Sequence, residues 1–175
     1  TAPPANATLG RDTLRLFAMT PPVPDLDPLR FDFDRDVALL DETAAINDPN
    51  GALHSTFAGR GGKLIVYHGN SDQAMATGVL TDWYNRLLPR NEKGPQDWAR
   101  LYLVPGMAHC AIGPSTDQFD MLEAIQQWVE HGRAPDKVLA SGNAFPGRTR
   151  PLCPYPAVAR YDGGDPESAA SFSCR

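Results

Sequence analysis

The stretch Lys63-Leu-Ile-Val-Tyr-His-Gly-Asn-Ser-Asp72 decides the reading of this chain, together with its counterpart Leu101-Tyr-Leu-Val-Pro-Gly-Met-Ala-His-Cys110. Each is an apolar run that ends in a glycine-containing turn, and each turn carries a residue able to do chemistry, Asp72 in the first and His109 in the second. The run Lys63 to Tyr67, rich in β-branched residues, predicts a strand covered on both faces, as in a parallel sheet. Ala99 to Val104 predicts a second strand, ending at Pro105-Gly106. Between them Val79, Leu80, Trp83, Tyr84, Leu87 and Leu88 recur every three or four positions, the apolar stripe of one helix stopped by Pro89.

An Asp after one strand and a His after the next, with room for one helix between, is how an α/β-hydrolase presents the last two members of a Ser, Asp, His triad. Farther along, Ser115-Thr-Asp-Gln118 matches a capping box, and Phe119, Leu122, Ile125 and Val129 predict a helix that Gly132 and Pro135 close. The order strand, helix, strand, helix predicts an α/β fold, the C-terminal portion of an α/β-hydrolase with a mostly parallel sheet. Upstream, residues 1–30 hold six prolines and no sustained period, which predicts an irregular connector from a preceding or lid region. Val37, Leu40, Ala44 and Ile46 predict a short helix ending at Asp48-Pro49-Asn50-Gly51. Residues 31–150 then form the hydrolase core and 151–175 a disulfide-closed tail.

With 175 residues, 42% of them hydrophobic, the chain can bury one real core. A net charge of −5 with scattered Lys and Arg argues against nucleic acid as a partner. No apolar stretch reaches the roughly 20 residues of a membrane span, and the Thr1-Ala-Pro-Pro start has no basic or apolar leader, so any export signal is expected upstream or already removed. Three cysteines favour an oxidising compartment, secreted or periplasmic. Cys153 and Cys174 bracket a tail rich in Pro, Gly and Ser with little means of packing itself, and a bridge between them would close it.

Asp72 has two readings, a helix N-cap or the acid that orients a histidine ring and stabilises its charged form. His109 sits in an irregular loop, where a ring that titrates near neutral pH can serve as general base; its pairing with Asp72 favours the catalytic reading of both. His54 and His68 have no such context, and His131 suits a helix C-terminus. Gly69-Asn-Ser-Asp-Gln73 nearly spells a nucleophile elbow, but Gln73 stands where a small residue is required and Ser71 directly precedes the proposed acid. The nucleophilic serine is therefore expected outside this chain. Cys110 can be read as a thiol nucleophile, as a metal ligand with His109, or as half of a disulfide to polypeptide outside the chain, the reading favoured here. The run Asp32, Asp34, Asp36 fails as a calcium loop, since Val37 and Thr43 stand where Gly and Glu are needed; a solvated face is expected, and no metal site in this chain.

Phe31-Asp-Phe-Asp34, Gly61-Gly-Lys-Leu-Ile-Val-Tyr-His-Gly69, Asp72-Gln73 and Arg100-Leu-Tyr-Leu-Val-Pro-Gly-Met-Ala-His-Cys110 resemble the C-terminal part of the tannase and feruloyl esterase family, which includes mono(hydroxyethyl) terephthalate hydrolases. The resemblance runs from about residue 12 to the end. It implies a serine carboxylic ester hydrolase acting on esters of aromatic acids, with Asp72 as triad acid, His109 as base, and Cys110 bridged to a Cys that precedes the serine. It also implies a lid domain inserted between serine and acid, carrying a structural Ca2+ outside this chain, and activity only together with the N-terminal part. No cofactor is implied for catalysis. Ala111-Ile-Gly-Pro114 departs from the glycine-richer sequence usual after the histidine. The alternative from another class is a non-catalytic secreted interaction module on a hydrolase scaffold.

Overall fold

In the computed structural model the described residues are 4–48, 54–87 and 94–175. The chain divides into two compact units, Thr1–Asn50 and Gly51–Arg175.

The first unit is more regular than its prolines suggest. Helix α1, Ala5–Asp12, runs on through a π-helical stretch, Thr13–Ala18, because the prolines cluster on either side of residues 5–20 and leave that segment free to coil. Hydrogen bonds from Thr20 N to Leu39 O and from Val23 N to Arg15 O fold the following segment back. The short helix expected near residue 40 forms as a 3-10 turn, Val37–Leu40, leading into α2, Asp41–Asn47. The turn expected at 48–51 lies mostly outside the described residues.

The acidic run is not a uniformly solvated face. Asp36 is only 6% exposed, and its carboxylate accepts from the Asp32 N–H and from Arg35. Asp32 Oδ1 in turn accepts from the backbone of Asp34 and Arg35. These oxygens satisfy the turn's own donors, which outweighs the simple alternation of Phe and Asp. No group of three or more His, Cys, Asp or Glu able to hold a metal ion occurs among the described residues.

The second unit is built on two strands. β1, Leu64–Gly69, pairs in parallel with β2, Ala99–Val104, with Leu64 opposite Ala99 and Gly69 opposite Val104. Their side chains alternate between two cores; β2 is largely buried on both faces, whereas β1 is only partly covered and leaves Tyr67 exposed. Leu64, Val66, Ala99, Leu101 and Leu103 pack with Tyr84, Leu87 and Trp98 on one side. Ile65, Tyr102 and Val104 pack with Met107, Ala140 and Leu152 on the other. Between the strands runs the expected helix, α4, Thr77–Arg86, preceded in the chain by α3, His54–Gly59; Tyr84 of α4 donates its hydroxyl hydrogen to Ala99 O. Pro89 lies outside the described residues.

Only this pair is parallel among the described strands. β3, Gln118–Phe119, β4, Val138–Ser141, and β5, Arg150–Leu152, form an antiparallel sheet in that order, and β6, Ala159–Tyr161, pairs antiparallel with β7, Phe172–Cys174. The connection from β4 to β5 is too short for the crossover that a parallel pair needs. Helix α5, Met121–His131, starts later than the capping box at Ser115 implies. Its N-cap is Asp120, whose carboxylate accepts from Glu123 N; Ser115 is instead buried in the preceding loop, and Phe119 belongs to β3. Asp-x-x-Glu at 120–123 outcompetes the earlier match because residues 118–119 are held in the ladder with Ala140 and Ser141.

The tail packs better than its composition suggests. β5 is an integral strand, Leu152 and Cys153 are buried, and Arg150 lies over the Phe172 ring. Cys153 and Cys174 form a disulfide across a separation of 21 residues. Replacing both by serine should lower the unfolding free energy of the protein by about 3 kcal/mol, the loop-closure value for this length, read by denaturant titration.

Candidate active site

The site lies in the two turns that leave the carboxyl ends of β1 and β2. Parallel pairing brings those ends to one rim, the place where α/β proteins present functional side chains. Gly69 makes the approach possible: a Cβ there would stand 2.3 Å from Met107 O and 2.5 Å from Ala108 O. With no side chain in the way, Asn70 N donates to Val104 O and Ser71 N to Met107 O, lacing the first turn to the second. Asp72 then closes a tight turn, its N–H donating to Gly69 O.

The second turn is braced from within. Gly106 adopts a φ of 74°, and a Cβ there would meet Pro114 O at 2.2 Å, so the loop folds back on itself at this point. Ala108 N donates to Ile112 O, Ile112 N to Asp117 Oδ2, and the Ser115 hydroxyl to Ile112 O. Within this brace Cys110 and Ile112 both take left-handed backbone, φ 64° and 62°, a conformation that side chains with a Cβ adopt rarely. Cys110 is exposed and its thiol is free within this chain.

The outcome is a direct pair. His109 Nδ1 lies 2.9 Å from Asp72 Oδ2. An ionised carboxylate can only accept, so Nδ1 carries the hydrogen and Nε2 keeps its lone pair for a proton from elsewhere. The ring is 58% exposed, whereas the Asp72 carboxylate is 2% exposed. Asp72 Oδ1 accepts from the N–H groups of Ala74 and Met75. Burial by itself would push this carboxyl up; the bonds from His109, Ala74 and Met75 outweigh it and hold it down from 3.8 to about 2. The turn therefore uses both oxygens of Asp72, Oδ1 for its own backbone and Oδ2 for His109; Asp72 is not a helix N-cap, because α4 begins at Thr77 with Ala76 as its cap.

The other candidates fall as follows. Ser71 is exposed, and no hydrogen bond joins it to His109 among the described residues. His131 occupies the last turn of α5. His54 lies between Trp83 and Trp98, an aromatic packing position. His68 has no catalytic context in the sequence, yet its Nε2 lies 3.0 Å from Met75 O and 3.9 Å from Asp72 Oδ2. The available signal was period two: His68 follows Leu64 and Val66 on one strand face and ends at the turn that holds the acid.

The family described as tannase and feruloyl esterase matches residues 10–175. The chain belongs to that family. It is 44% identical over 164 residues to a mono(2-hydroxyethyl) terephthalate hydrolase from Piscinibacter sakaiensis, covering 83% of this chain and 26% of that protein. It is 33% identical over 150 residues to a probable feruloyl esterase from Arthroderma benhamiae, covering 81% of this chain and 27% of that one. Its mixed helix-and-strand fold is similar to the crystal structure of feruloyl esterase B from Aspergillus oryzae, with a TM-score of 0.75 and 27% identity over 94% of this chain and 36% of that one. The chain thus spans about a quarter to a third of the length of these relatives.

A carboxyl whose folded value is depressed stabilises the fold above its ordinary pH range and loses that contribution as pH falls through the folded value. Asp72→Asn is therefore expected to lower the melting temperature at neutral pH, and the gap from the parent should close as pH drops from about 4 toward 2. Thermal unfolding of both proteins across that range is the check.

Proposed function

We propose that this chain supplies the acid and the base of a serine carboxylic ester hydrolase of the α/β-hydrolase type, whose nucleophile lies in polypeptide outside these 175 residues. The single observation that carries the reading is the 2.9 Å pair between His109 Nδ1 and a buried Asp72 carboxylate, at the adjoining ends of two parallel strands. Family membership supports the same chemistry. Serine Oγ attacks the ester carbonyl and His109 Nε2 takes its proton, while Asp72 stabilises the imidazolium. The tetrahedral intermediate expels the alcohol, which receives that proton and leaves an acyl-enzyme. Water then attacks, again giving a proton to His109, and the carboxylic acid and the serine are released.

Esters of aromatic acids are the substrate class we infer, supported by relatives named for feruloyl and terephthalate esters. Apolar side chains left in solvent support a larger core. Leu122 and Val129 on α5 and Leu139 on β4 are all more than 60% exposed, and they belong against further layers of a sheet in which β1 and β2 are two members. Cys110, exposed and unpaired in this chain, is the half of a disulfide that would tie the histidine loop to the nucleophile's segment. The Cys153–Cys174 disulfide supports an oxidising, secreted or periplasmic location. No helix among the described residues is long and apolar enough to cross a membrane.

In the full-length protein, His109→Ala is expected to cost about a thousandfold or more in kcat on an aryl ester, with KM little changed. A serine-directed fluorophosphonate should label a peptide outside this chain. Labelling of Ser71 would refute the proposal, and absence of both labelling and turnover would favour a non-catalytic module.

A further inference from the structure

His68 takes no part in the proton transfers described above, yet it is the last side chain of β1 before the turn that carries the acid, and it is 15% exposed. Its Nε2 meets a backbone carbonyl, Met75 O, at 3.0 Å. A carbonyl only accepts, so Nε2 carries the hydrogen and donates it. The same residue, Met75, donates its N–H to Asp72 Oδ1 at 3.0 Å, beside that of Ala74 at 2.8 Å. The other carboxylate oxygen meets His109. The two contacts meet at one residue: His68 holds the Met75 carbonyl, the preceding peptide's N–H at Met75 holds Asp72 Oδ1, and Asp72 Oδ2 meets His109.

We propose that His68 is a positioning residue for the Asp72–His109 pair, acting through the backbone of the acid's own turn. This rests on the esterase reading and names a further residue that the reaction needs. The turn from Gln73 to Ala76 is exposed and outside any strand or helix, so its orientation depends on what its peptide groups bind. Anchored by His68 at its carbonyl, the backbone of Met75 keeps its own N–H on Asp72 Oδ1 and leaves Oδ2 aimed at His109. Released, the turn lets the carboxylate rotate, and His109 loses the partner that fixes its tautomer and its orientation toward the nucleophile. His68 suits the task because its ring grows from a strand rather than from the turn it steadies. Its distance from Asp72 Oδ2, 3.9 Å, is too long for a hydrogen bond, so in the neutral ring the anchoring contact is the one to Met75.

Two variants of the full-length protein separate positioning from simple packing. His68→Met fills similar space without a donor, and His68→Gln keeps an N–H near the position of Nε2. On an aryl ester His68→Met should lose about 10- to 100-fold in kcat with KM within about twofold, and His68→Gln should recover most of that loss. The second readout is the downfield proton resonance of His109 Nδ1–H bound to Asp72, seen by NMR and independent of turnover. It should be present in the parent, broadened or lost in His68→Met, and restored in His68→Gln. Unchanged kcat and an unchanged resonance in folded His68→Met overturn the proposal. So does folded His68→Gln that loses both, a result that stays decisive even where His68→Met does not fold. A parent with no esterase activity, but with a resonance that responds to His68 in this pattern, refutes the esterase reading while supporting the positioning role.

Discussion

The candidate site depends on one close approach of backbone to backbone, Gly69 against the carbonyls of Met107 and Ala108. Parallel pairing of β1 and β2 brings two turns to the same rim, but it does not bring their side chains into contact. That requires the turns to touch, and they touch because position 69 has no Cβ. The hydrogen bonds from Asn70 and Ser71 across the gap, and the tight turn that delivers Asp72, follow from the same contact. A glycine at this place in the sequence marks a mutual approach of two loops more than a flexible hinge.

Electrostatics then divides the labour between the two oxygens of Asp72. A carboxylate with 2% of its side chain exposed would ordinarily be driven toward its neutral form. Two backbone donors on Oδ1 and one imidazole donor on Oδ2 reverse that tendency, so the group stays ionised well below neutral pH. For the proposed reaction an acid that remains charged is what His109 needs, because there the ring becomes cationic during proton transfer and a neutral partner would not stabilise it. The same bonds fix the carboxylate's orientation, so the local fold of residues 69–76 and the chemistry of the pair are one arrangement.

How much of this was legible in the sequence follows the range of the interactions involved. β1 and β2 were readable as apolar runs that end in glycine turns, α4 because its apolar positions recur every three or four residues, and the placing of Asp72 and His109 because strand ends have a fixed relation to turns. The capping box at Ser115 misled, since strand pairing of Gln118 and Phe119 with β4, a tertiary interaction, moved the helix start to Asp120. The antiparallel sheet was not legible, because which strands neighbour β4 depends on chain reversals that local pattern does not encode. The first 30 residues looked irregular because proline counts do not distinguish clustered from dispersed breakers. His68 was hidden for another reason: its partner is a backbone carbonyl, and no residue type announces a carbonyl.

The tail shows how a segment remote from the chemistry can bear on it. β1 covers only one edge of β2. On the other side, Tyr155 N donates to Leu101 O, and Pro154 forms a bridge with Tyr102. The segment directly after β5 therefore satisfies backbone groups that an open strand edge would expose. Cys153 sits between that segment and β5, buried, and its disulfide ties it to β7. β2 is the strand whose end carries His109, so loosening residues 153–155 would free one edge of the element that sets the position of His109. The proline in this segment fits the same logic, since Pro154 has no N–H to leave unpaired. A composition that reads as loop is thus suited to a short edge cover, and the bridge keeps that cover in place.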